Sequence, residues 1–111
     1  MRFFKTVFLE MADLFIDQFD EKTVQKIFYK IKLAEETNDP RLFKKLNRDI
    51  WEFRLRYQKH QIRLLAFWDK SDKEQTKVIV THGFIKKVSK VPEVEIERAM
   101  AFRKLYFNYK N

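Results

Sequence analysis

The 111 residues predict an α+β fold, a small, mostly antiparallel β-sheet with two N-terminal helices and one C-terminal helix. Three observations carry this. Apolar residues recur at helical spacing ahead of Thr37, the period switches to two at Ile50, and Pro92 opens a final helix. The order along the chain reads β-α-α-β-β-β-α. With no repeat, linker or low-complexity segment, residues 1–111 are expected to form one domain.

Arg2 to Leu9 (RFFKTVFL) is aromatic and β-branched, which favours a first strand. Met11, Leu14, Phe15 and Phe19 then recur at helical spacing. Asp20 can cap a second helix whose buried stripe is Val24, Ile27, Phe28 and Ile31. Thr37-Asn38-Asp39-Pro40 stops it, because proline cannot continue a helix and Asn and Asp favour turns. A short helical turn through Leu42, Phe43 and Leu46 is expected next. From Ile50 to Gln58 the residues alternate: Trp51, Phe53, Leu55 and Tyr57 face one way, Glu52, Arg54, Arg56 and Gln58 the other. After a polar break, Ile62 to Trp68 (IRLLAFW) is almost wholly apolar and should be a central strand. Asp69 to Gln75 is a charged loop, and Lys77 to Ile85 (KVIVTHGFI) the next strand. Pro92 fits the first turn of the last helix, where Glu93, Glu95 and Glu97 complement the helix dipole. Its stripe includes Ile96, Ala99 and Met100, and the aromatic tail Leu105–Tyr109 is placed to dock on the body. Phe15, Phe19, Phe28 and Trp51 are expected in the core, and Gly83 at a bulge.

Composition excludes several chemistries. Without cysteine there is no disulfide, thiolate metal site or Cys nucleophile, and a reducing, cytoplasmic setting is expected. His60 and His82 are too far apart for an i,i+4 zinc pair, so no metal site is expected. One glycine, Gly83, rules out a Gly-rich phosphate loop and hence a nucleotide cofactor of that kind. Apolar runs are too short to span a bilayer, and Glu10 and Asp13 argue against a signal peptide.

Charge is the positive signal. The chain carries a net +8, and residues 1–55 contribute only +1 of it. Arg54, Arg56, Lys59, Arg63, Lys70, Lys73, Lys77, Lys86, Lys87 and Lys90 crowd into one stretch against three acids. Such a field suits a polyanionic partner. Closing the hairpin with Lys59-His60 as its turn pairs Gln58 with Gln61 and sets Arg56 opposite Arg63. Like charges directly across a sheet repel, so a bound anion would explain their retention. The competing reading pairs the arginines with Glu52 and Asp69 or leaves them solvated. Lys86, Lys87 and Lys90 either extend the basic face or are a solvated strand end. His82 is either a proton-transfer group or a packed strand histidine.

Trp51-Glu52-Phe53-Arg54-Leu55-Arg56, Ile62-Arg63-Leu64-Leu65, Thr81-His82-Gly83-Phe84-Ile85-Lys86-Lys87 and Lys90-Val91-Pro92-Glu93 before Ile96-Glu97-Arg98-Ala99 together resemble the RelE/ParE toxin superfamily, in its HigB-like branch. The resemblance spans essentially the whole chain. It implies the RelE-like fold and the toxin half of a type II toxin–antitoxin pair, usually a ribosome-dependent endonuclease that cuts mRNA. It also implies a helix-turn-helix antitoxin as partner, with operator DNA reached only through that complex, and neither cofactor nor membrane. For metal-free RNA cleavage, Arg54, Arg56 and Arg63 are the expected phosphate clamps. Lys86 or Lys87 is the expected general base, with His82 and Tyr106 as fallbacks. Lys59, Lys73, Lys90 and Tyr106 are expected RNA contacts. Some superfamily members carry a catalytic His or Tyr near the C-terminus, and the departure here leaves the acid and base open. The rival readings are a ParE-like inhibitor of DNA gyrase and a non-catalytic nucleic-acid-binding module.

Overall fold

A computed structural model describes residues 2–110. The elements run β1 (Lys5–Phe8), α1 (Glu10–Ile16), α2 (Glu21–Thr37), β2 (Phe43–Lys45), β3 (Trp51–Tyr57), β4 (His60–Asp69), β5 (Lys77–Ile85) and α3 (Glu93–Lys110). The five strands form one sheet in the order β1-β5-β4-β3-β2. β1 lies parallel to β5 and every other pairing is antiparallel.

The apolar strand β4 is central, as its composition requires: a strand buried on both faces needs neighbours on both edges and cover above and below. α1 and α2 cover one face. Ile16, Ile27 and Ile31 pack there with Phe53, Leu64, Ala66 and Val80. α3 covers part of the other, where Ala99 meets Ile50, Leu65, Phe67 and Ile79. Asp20 caps α2 as expected, its carboxylate accepting from Thr23 N at 3.0 Å. Asn38 ends the helix in the left-handed conformation (φ 54°). The free edge of β1 is blunted by Glu35, whose buried carboxylate accepts from both Thr6 N (2.9 Å) and Thr6 Oγ1 (2.6 Å).

Four expectations are corrected. Leu42–Leu46 is not a helical turn: Phe43–Lys45 adds as an edge strand to β3, with Phe43 stacked on Phe53 at 4.4 Å. The β3–β4 turn falls at Gln58-Lys59, with Tyr57 paired to His60, so Arg54 and not Arg56 lies opposite Arg63. The bulge lies between Leu65 and Ala66, whose partners are His82 and Val80. Gly83 is needed for close approach instead: a Cβ there would fall 2.6 Å from Leu64 Cδ2 and against the Phe15 ring. Phe28 is 44% exposed, touching the body mainly through an edge-on contact with Phe8.

Candidate functional site

Register arranges the α3-side face of the sheet in rows. Glu52, Leu65 and His82 form one, and Arg54, Arg63 and Phe84 the next. Arg56 and Gln61 form the third, which Lys86 joins through its backbone N–H to Gln61 O at 2.8 Å. α3 packs over the first row and the rows behind it, where His82 meets Glu95 and Phe102. The outer rows stay open as a cleft of about 320 Å³ lined by Arg41, Arg54, Leu55, Arg56, Gln61 and Arg63.

The floor of this cleft is charged. Glu52 is only 4% exposed and lies 3.5 Å from Arg54 Nε through one oxygen and 3.5 Å from Arg63 Nε through the other. A single buried carboxylate thus sits between two guanidinium groups that face each other across the strands. Arg63 is itself 5% exposed and is held by donating to Ile62 O and Gln61 Oε1, both at 3.2 Å. Burial pushes its pKa down, Glu52 opposes that, and Arg54 adds to it. An arginine starts so high that the group remains cationic at neutral pH. At 3.5 Å the ion pairs are longer than the about 2.8 Å of a charge-assisted hydrogen bond, and neither Nε atom has a hydrogen-bond partner among the described residues. The pairing leaves a net positive cleft, with Arg56 and Arg41 exposed at its rim.

The sequence-derived residues separate by place. Arg54, Arg56 and Arg63 line the one cleft. Lys59 lies in the adjoining turn, Lys86 and Lys87 follow the end of β5, and Lys90 lies in the segment leading to α3, all at the same end of the sheet. His82 is in the row behind, buried to 1% exposure. Its Nε2 meets Glu95 Oε1 at 3.0 Å, its Nδ1 meets Thr81 Oγ1 at 2.9 Å, and Phe84 and Phe102 lie about its ring. Burial, outweighing the Glu95 contact, lowers its pKa, so the neutral ring donates to Glu95 and accepts from Thr81. It does not line the cleft. Tyr106 and Lys73 lie towards the other end. Tyr106 donates to Asp69 at 2.6 Å, and Asp69 ends β4 roughly 20 Å along the strand from Arg63. Lys73 is in the loop just beyond.

Asp69 serves Tyr106, Ser71 and Lys110, not the arginines, whereas Glu52 does pair with two of them. The sequence reading missed Arg41. It precedes β2 and reaches the cleft only because β2 pairs with β3, so recognising Phe43–Lys45 as a strand would have found it. Among the described residues no cluster of three His, Cys, Asp or Glu could hold a metal ion, and no helix is long and apolar enough to cross a membrane.

Among curated proteins no relative matches. A chain from the crystal structure of the toxin–antitoxin complex RelBE2 from Mycobacterium tuberculosis matches in fold with a TM-score of 0.52 at 17% identity. The match covers 75% of this chain and 98% of that one. The family model described as phage derived protein Gp49-like (DUF891) matches residues 14–104. The chain therefore belongs to the phage-derived Gp49-like family, within the RelE/ParE toxin superfamily.

Proposed function

We propose that this protein is the toxin of a type II toxin–antitoxin pair and cleaves messenger RNA on the ribosome, with guanidinium and ammonium groups supplying the charge stabilisation. One observation carries the reading: arginines from adjacent strands, Arg54, Arg56 and Arg63, meet Arg41 around a single open cleft. The superfamily and the match to a chain of the RelBE2 toxin–antitoxin complex support an antitoxin partner. A helix-turn-helix architecture for that partner, with operator DNA reached through the complex, is part of the same proposal.

In the proposed reaction the ribose 2′-oxygen attacks the adjacent phosphorus in line while the bond to the 5′-oxygen breaks, leaving a cyclic phosphate and a 5′-oxygen that takes its proton from water to become a hydroxyl. Negative charge grows on the non-bridging oxygens. Arg54 and Arg56 are accessible enough to take those oxygens directly. Arg63, on the floor, contributes its field and holds Glu52 in place, a preorganised electrostatic role. Lys86 shares the Arg56–Gln61 row and is the better placed of the two lysines to take the 2′-proton, with Lys87 the alternative. His82, one row behind, supports the floor through Glu95 and α3. Lys59 and Lys90 extend the phosphate-binding surface.

The test is cleavage of a defined mRNA on purified ribosomes, with mapped 5′-ends. Arg54→Ala should lower the single-turnover rate about 10²-fold or more, with the far-ultraviolet circular dichroism unchanged. Arg54→Lys should restore only part of it, because an ammonium lacks the planar fork. A folded Arg54→Ala protein with an unchanged rate would remove the cleft from the chemistry. Growth arrest with intact mRNA and failing supercoiling would replace the nuclease with a gyrase inhibitor.

A further inference from the structure

A second cavity, of about 450 Å³, lies at the other end of the sheet and plays no part in the proposed cleavage. Trp51 at the start of β3 and Trp68 near the end of β4 form its aromatic wall, edge to face with centroids 5.5 Å apart. Lys45, Arg48, Lys70 and Arg103 surround them. Asp49 is the one acid in the lining, and it is only loosely engaged by Arg103 at 3.7 Å. Lys70 Nζ already lies over the Trp68 ring at 5.3 Å. Both indoles remain partly exposed, and Trp68 Nε1 finds no acceptor among the described residues.

The inner sides of the indoles belong to the core, Trp51 stacked on Phe43 at 5.0 Å and Trp68 edge-on to Phe4 at 5.3 Å, but core packing does not account for the cations gathered around them. Four cations around one carboxylate repel each other. The combination suits one ligand chemistry: a flat π-system to stack on indole, linked to phosphates for the cations. The volume is in the range of small-ligand sites. Trp51 and Trp68 face the α1–α2 side of the sheet and the arginine cleft the other, with Arg63 and Trp68 roughly 17 Å apart along β4, so the two places do not compete for one ligand.

We propose that this cavity receives an unpaired nucleotide of a single-stranded RNA, its base stacked on Trp51 or Trp68 and its flanking phosphates on Arg48 and Lys70. The site rests on the RNA reading of the protein, so its test must not depend on cleavage. Because both tryptophans line the cavity, emission excited at the red edge of indole absorption reports on it alone. The probe is a short 2′-O-methyl oligoribonucleotide, single-stranded, which has no 2′-hydroxyl to attack and cannot be cut by the proposed route.

Titration of the full chain with this probe should change tryptophan emission, and the midpoint should weaken roughly tenfold in the Arg48→Ala/Lys70→Ala protein. Both positions are exposed, so the fold should survive. The same sequence as a blunt duplex should leave the emission unchanged, since its bases cannot reach the indoles. The proposal is overturned if a labelled probe binds by anisotropy with no change in emission, if duplex and single strand act alike, or if only free adenosine monophosphate perturbs the indoles. Emission changes with no mRNA cleavage would sink the nuclease and keep this site. Cleavage with silent tryptophans would do the reverse.

Discussion

At the scale of single residues, Glu52 decides whether the cleft can exist. Arg54 and Arg63 are direct cross-strand partners, and like charges so placed destabilise a sheet. One step along β3, on the same face, Glu52 offers an oxygen to each. Removing one member of a buried ionic group leaves the others uncompensated, at a cost of about 3 kcal/mol. Glu52→Gln should therefore lower the unfolding free energy by about that amount in urea titrations, while Glu52→Gln/Arg63→Met should recover much of it. A Glu52→Gln protein as stable as the wild type would mean that the arginines are held by packing alone. The alternation through Ile50–Gln58 made the shared face of Glu52, Arg54 and Arg56 legible. The register was not, because Gln58, Lys59, His60 and Gln61 are all polar and no Gly or Asn fixes the turn; Gln58 itself takes a φ of 56°. The true pairing differs from the expected one by two residues, and a shift of two preserves the face. The gathering of arginines was therefore readable even though their partners were not.

At the scale of elements, short pieces escaped the sequence. β2 has three residues, too few for any period to show, and only its pairing with β3 makes it a strand. The longer elements announced themselves through Asp20, Pro92 and the apolar run of β4. Gly83 marks another kind of blindness, since the reason for it lies in a different element. α1 crosses β5 so closely that the Phe15 ring occupies the space a side chain would take. Gly83→Ala should force α1 outward or the ring out of its place, costing about 1–3 kcal/mol as overpacking. Because Phe15 also stacks edge-on with Phe19 at 5.1 Å, both rings should move together. Chemical denaturation gives the loss. Hydrogen exchange should show it concentrated in residues 10–19, and protection unchanged there would put the strain elsewhere.

At the scale of the whole molecule, α3 must hold the second face of the sheet closed, and its C-terminal end is fastened by a polar lock. Asp69, 1% exposed at the end of β4, accepts from Tyr106 at 2.6 Å and from Ser71, with Lys110 at 3.3 Å. Burial alone would raise the Asp69 pKa, but the bonds from Tyr106 and Ser71 outweigh it and hold the carboxyl well below its usual range. Burial first, then the bond to Asp69, pushes the Tyr106 phenol up to about 12 from about 10. The signs give a window. A depressed carboxyl stabilises the fold above its unfolded pKa and stops doing so as pH falls through its folded value. A raised phenol stabilises it below about pH 10, and that support fades as pH rises from there towards 12. Tyr106→Phe keeps the ring packed on Phe67 and Phe107 but cannot donate to Asp69. It should be less stable than the wild type by about 1–3 kcal/mol at neutral pH. That gap should narrow below about pH 4, where Asp69 begins to protonate in the unfolded chain, and narrow again above about pH 10. Urea denaturation of both proteins at acid, neutral and alkaline pH measures it. No gap between the two proteins at neutral pH would mean that Tyr106 holds α3 by its ring, and that the lock at Asp69 carries no weight.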